Sequence, residues 1–182
     1  MAAERGVIVM RRFGVIVAFG ALLGMLGGML TASPAVAGRG PKWQLIPARP
    51  FTLPAEFCGF KVRVAFPVHK QYLKVLKSSN GTVITLATGP ARMSFTNRNT
   101  GTTITRSVSG PGKGTVFPDG SFLGALKGHS ASFLPPDLAQ RFGLPTVSVT
   151  AGALTARFDP DGHLTSLSLR GHVLIDVCAA LS

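Results

Sequence analysis

From Phe60 onward, apolar residues occupy every second position. Phe60, Val62, Val64 and Phe66 fall on one side of an extended chain and Lys61, Arg63 and Ala65 on the other. This period is that of a strand with one face buried. Comparable segments follow at residues 71–77, 82–88, 91–97, 102–109, 121–127, 146–151, 153–159, 163–170 and 172–177. About ten short strands in series constrain the chain to an all-β fold. The expected architecture is an antiparallel meander β-barrel of about 8–10 strands, with a two-sheet β-sandwich as the alternative.

The connections carry turn chemistry. Asn80-Gly81 is a hairpin signal, because both residues accept positive φ. Phe117-Pro118-Asp119-Gly120 and Asp159-Pro160-Asp161-Gly162 both read x-Pro-Asp-Gly, with proline presetting φ at the start of the turn. The one helical candidate runs from Pro135 to Gly143, with proline at its start and glycine at its end. A weak repeat relates Gly89, Phe95, Gly101 and Gly110 to Gly152, Phe158, Gly162 and Gly171. Each unit reads strand, tight turn, strand, glycine; such glycines suit sharp bends at barrel corners or bulges. Hairpin grammar accounts for the repeat at least as well as duplication does.

The N-terminal segment has the form of an export signal. Arg5, Arg11 and Arg12 make a positive n-region, Phe13–Leu30 an apolar h-region, and Ala35-Val36-Ala37 a small-residue cleavage pattern. The expected division is a signal peptide over 1–37, a proline-rich extended arm over 38–55 and a single β domain over 56–182. Trp43 is expected to pin the arm to the domain. An uncleaved signal would instead anchor the chain to a membrane. Export places the two cysteines, Cys58 and Cys178, in an oxidising compartment, so they are expected to form one disulfide.

Charge is unevenly placed. The net charge is +12 for the chain, and no acidic residue lies between Glu56 and Asp119. That stretch holds nine lysines and arginines, whereas residues 119–182 are close to neutral. An asymmetry of this kind suits an anionic partner, such as a cell-wall polymer or glycan. Lys61, Arg63, Lys70, Lys74, Lys77 and Lys113 are the candidate anion-binding face. Basic residues spread all round a secreted domain for solubility would give the same count. Nucleic acid is disfavoured, because Phe60, Phe66 and Phe95 point inward and leave no stacking platform.

Residues with catalytic or metal-binding chemistry do not assemble into a complete motif. Gly128-His129-Ser130-Ala131-Ser132 resembles a nucleophile elbow but lacks its final glycine, and a surface turn is expected there. Gly110-Pro111-Gly112-Lys113-Gly114-Thr115 does not have phosphate-loop spacing. Asp159-x-Asp161 supplies too few oxygens for calcium. His172 and Asp176 share a strand face and form the best acid–base candidate, directed to solvent. No glutamate follows Glu56, which removes a Glu pair for glycoside chemistry. No catalytic residue, metal ligand or cofactor is therefore assigned.

Phe57-Cys58-Gly59-Phe60, Ser94-Phe95-Thr96-Asn97 with Thr100-Gly101, Ser109-Gly110-Pro111-Gly112, Pro118-Asp119-Gly120 and the terminal Cys178 resemble a group of secreted β-rich proteins from high-GC actinomycete-type bacteria. The resemblance implies export and a β-rich domain and brings no activity. The expectation is thus a secreted, non-enzymatic β domain that binds an extracellular or cell-wall partner of anionic character. A small enzyme with its site in the barrel mouth and an inhibitor-like interaction module are the alternatives.

Overall fold

A computed structural model describes residues 41–78 and 80–182. The expected signal peptide lies outside the described residues. Among the described residues, no helix is long and apolar enough to cross a membrane.

The chain forms β1 (Gln44–Leu45), β2 (Phe51–Leu53), a 3₁₀ turn (Ala55–Phe57), β3 (Val62–His69), β4 (Tyr72–Lys77), β5 (Val83–Thr88), β6 (Ala91–Asn97), β7 (Thr103–Ser107) and β8 (Gly112–Val116). Then follow β9 (Phe122–Phe133), α1 (Pro136–Phe142), β10 (Val147–Phe158), β11 (Leu164–Asp176) and α2 (Val177–Leu181). Every strand pairing is antiparallel. Seven strands form one sheet in the order β1-β4-β5-β8-β9-β10-β11, and four form a second, β2-β3-β6-β7. The all-β expectation holds. The two sheets do not close into a continuous hydrogen-bonded barrel among the described strands, and they fit the sandwich alternative equally well.

Four segments pass from one sheet to the other: β1 to β2 through residues 46–50, β3 to β4 through Lys70-Gln71, β5 to β6 through Gly89-Pro90, and β7 to β8 through residues 108–111. The last three strands stay in one sheet and bend instead. Gly152 pairs with Gly128 on one side and Gly171 on the other, and Gly110 lies against Gly128. This glycine row corrects the expected strand breaks between 151 and 153 and between 170 and 172. Residues 147–158 and 164–176 are single strands, because a glycine backbone can bend sharply while its ladder continues. At Gly152, φ is 126°, and an added Cβ would lie 2.2 Å from the Arg170 carbonyl oxygen. A side chain fits neither the dihedral nor the space.

The turns and the helix form where the sequence places them. Gly81 N–H donates to Ser78, Gly120 N–H to Phe117 and Gly162 N–H to Asp159, each through the backbone carbonyl. Gly143 ends α1 in the left-handed conformation, with φ 64°.

The main core lies between the two layers. Leu53, Val62, Val64, Ala91, Met93 and Phe95 meet Ala131, Phe133, Val147 and Val149, with Val177 and Leu181 of α2 joining the same cluster. A second cluster gathers Phe122, Leu154, Ala156, Phe158 and Leu164 with Leu134, just after β9, and Ala139 of α1. Cys58 and Cys178 are bonded, with Cα atoms 5.1 Å apart across 120 residues, as expected. Asp176 caps α2, its carboxylate accepting from Cys178 N–H at 2.9 Å and Ala179 N–H at 3.2 Å. Trp43 does not pin the arm: it is 47% exposed. Buried Leu53, Phe51 in the core cluster and the bond from Ile46 N–H to the Gln71 carbonyl hold the arm instead.

Candidate functional site

Strand register determines which side chains share a sheet face, since residues directly opposite one another point the same way. One row across the large sheet runs Lys74, Leu86, Lys113, Ala125, Thr155, Ser168. The row nearer the hairpin tips runs Leu76, Ile84, Thr115, Leu123, Arg157, Ser166. Toward the bend, Lys127, Ala153 and Arg170 align, with Tyr72 and Thr88 on the same side. One face thus carries Lys74, Lys113, Lys127, Arg157 and Arg170. All but the half-buried Lys74 are exposed, beside exposed Ser166 and Ser168. Lys74 and Lys113 stand two strand spacings apart, about 10 Å, as do Lys127 and Arg170.

No acidic residue among the described residues projects from this face. Among the described residues, the carboxylates sit in turns and at helix ends: Glu56 in the 3₁₀ turn, Asp119, Asp159 and Asp161 in tight turns, Asp137 in α1 and Asp176 as the cap of α2. Asp119, at the hairpin tip, is near enough to Arg157 to feel its charge. Its carboxyl is held below the usual range first by hydrogen bonds from Ser121 and only last by Arg157. Arg157 also lies over the Phe117 ring, 6.0 Å from its centroid.

The six predicted anion-binding residues are distributed over different surfaces. Lys74 and Lys113 share the face just described. Lys77 projects from the opposite face of β4, beside Val75 and Leu73 in alternation. Arg63 lies in line with Thr52 and Thr96 on the small sheet, and Lys61 and Lys70 are in connections. Lys127, Arg157 and Arg170 come from the part of the chain that reads as neutral. Only the pairing of β8, β9, β10 and β11 brings them onto the face of Lys113, and no local sequence signal shows it.

Three further sequence candidates resolve structurally. The Gly128–Ser132 segment is not a surface turn but the interior of β9. Ser130 Oγ lies 2.9 Å from Thr150 Oγ1, and Ser132 Oγ lies 2.7 Å from Ser148 Oγ, all four residues buried. They form a satisfied cross-strand ladder. His172 and Asp176 do not act as a pair, because a bulge in β11 opposite Val149 and Thr150 interrupts their alternation and Asp176 is occupied as a helix cap. Asp159, Asp161 and His163 cluster at one turn, where Asp159 accepts from His163 N–H at 2.8 Å and its other oxygen lies 3.2 Å from His163 Nδ1. These bonds close the hairpin.

A cavity of about 120 Å³ opens at the bend. Phe51, Phe66, Met93, Val108, Leu126 and Phe133 supply its apolar lining, and the arm segment Ile46–Arg49 runs along it. His69 sits at its side with its ring edge-on to Phe66, centroids 5.8 Å apart. Burial lowers the pKa of His69.

No family model matches this chain, and no curated protein or solved structure matches it. The fold and surface define a disulfide-tied domain of two antiparallel sheets with a basic sheet face.

Proposed function

We propose that this is an exported, non-catalytic β domain that binds an anionic polymer outside the cell, such as a wall polymer or acidic glycan. We read its finer architecture as a sandwich with barrel-like corners, in which bent strands pass from layer to layer. One observation carries the functional reading: five cations drawn from five strands (β4, β8, β9, β10 and β11) share one sheet face from which no carboxylate of the described residues projects. Solubility alone requires no such segregation, because interspersed charges serve it as well. An array of charges spread over five strands, with Lys74 and Lys113 and likewise Lys127 and Arg170 about 10 Å apart, suits repeating anionic groups better than a single small ion. The surrounding serines and threonines offer hydroxyls to the same groups.

The test is binding to a purified anionic glycan over a sodium chloride series, with a neutral glycan as reference. The expected result is an affinity that falls steeply between 50 and 500 mM salt, roughly as screening shortens from beyond 10 Å to below 5 Å, and no binding to the neutral glycan. Binding that persists in high salt, or that ignores polymer charge, would overturn the reading.

A further inference from the structure

We propose that the cavity at the bend is a second binding site, sharing Lys127 with the basic sheet face, for a small organic acid with an apolar body: an aromatic or short-chain carboxylate. The size comes first. A cavity of about 150 Å³ lined by aliphatic and aromatic side chains takes up benzene. At about 120 Å³ this one accommodates a single ring or a chain of a few carbons. Its apolar surfaces come from both sheets. Phe51, Phe66 and Met93 belong to the small sheet, and Phe133 to β9 of the large one. An apolar group entering here leaves water for contact with rings and a thioether.

The polar residues at the cavity fix the sign of the ligand's charge. Arg49, Lys127 and His129 line it and are exposed, so they stand at its mouth, while His69 is half-buried at its side. No aspartate or glutamate lines it among the described residues. A carboxylate at the mouth meets two permanent cations; an ammonium meets only repulsion. Arg49 offers a planar fork that matches a carboxylate in two hydrogen bonds.

The arm forms one wall. Ile46–Pro50 crosses from β1 in the large sheet to β2 in the small one, and the segment is secured at its start by the Ile46 N–H bond to Gln71. Pro47 and Pro50 lack backbone donors, so the crossing needs fewer partners than an ordinary loop. The site is therefore bounded by parts of the chain far apart in sequence, which explains why no linear motif marks it.

The experiment is a titration of the protein with benzoate and with hexanoate, followed by NMR of methyl and aromatic resonances. Benzyl alcohol and benzylamine serve as neutral and cationic references. Saturable shifts at Met93, Phe66 and His69 with the acids, and none with benzylamine, are expected. Arg49→Ala should weaken benzoate about tenfold while changing benzyl alcohol little. Ala48→Phe, on the arm and clear of the core, should fill the space and abolish binding of both. Absence of saturable shifts with the acids, or benzylamine binding as tightly as benzoate, would overturn the proposal. Glycan binding measured on the same Ala48→Phe protein should be unchanged, so the two sites stand or fall separately.

Discussion

Asn97 Nδ2 donates to the Leu181 carbonyl oxygen at 2.9 Å, joining the end of β6 to the last turn of α2 across 84 residues. Both residues are buried. The same side chain accepts from Asn99 N–H at 2.8 Å and so also shapes the turn into β7. One amide thereby satisfies a turn donor and a buried helix-terminal carbonyl, the latter costly to leave unpaired. Asn97→Ala should cost about 2–3 kcal/mol by urea unfolding, whereas Asn99→Ala, exposed in the turn, should cost under about 0.5 kcal/mol.

The Cys58–Cys178 bond fastens α2 on the other side. Thr146 Oγ1 donates to the Phe57 carbonyl oxygen at 2.6 Å beside it. Closing a loop of this length contributes about 4–5 kcal/mol in the chain-entropy description. Cys58→Ser with Cys178→Ser should lower the unfolding midpoint by that equivalent. Mass measurement of unreduced protein should show two hydrogens fewer than the reduced form; two alkylatable thiols in the native protein would contradict the bond.

The glycines at the bend and in the hairpins should respond differently. Gly101 has φ 79° with open space where a Cβ would stand, so Gly101→Ala meets only backbone strain, about 1–2 kcal/mol. Gly152→Ala adds a clash with backbone to a comparable strain. Its cost by thermal or urea unfolding should be at least twice that of Gly101→Ala. Equal costs would show that the row does not set the bend.

His69 predicts the direction of one pH effect. Burial lowers its pKa in the folded protein, so the unfolded chain takes up the proton more readily. Its contribution to stability is complete above the ordinary histidine value of about 6.5. The contribution is lost as pH falls through the lowered folded value. Stability measured from pH 8 to pH 5 should decline below about 6.5, and His69→Phe should flatten that decline.

Much of this fold was legible because its signals are local. Alternation at Val62–Phe66, the turn residues Asn80-Gly81 and Pro118-Asp119-Gly120, and the Pro-to-Gly frame of α1 each depend on a few adjacent residues. The sheet assignments were not legible. Gly89, Gly128 and Gly152 resemble strand ends in sequence, but whether such a glycine ends a strand, turns it into the other sheet or merely bends it depends on its partners. Ser130 and Ser132 read as a polar turn because their partners, Ser148 and Thr150, lie beyond a helix. The basic face escaped for the same reason. Lys113 and Arg170 are 57 residues apart and come onto one sheet face only through the pairing of β8, β9, β10 and β11.

The central claim is that a particular sheet face, rather than overall charge, binds the anionic partner. Two double variants with the same change in net charge test it directly: Lys113→Glu with Arg170→Glu on the large sheet, and Arg63→Glu with Arg92→Glu on the small one. Affinity for an anionic glycan is measured for both at one moderate salt concentration. The account predicts a loss of at least tenfold for the first pair and less than about threefold for the second, since exposed charges beyond a screening length contribute little. Equal losses for the two pairs would contradict it.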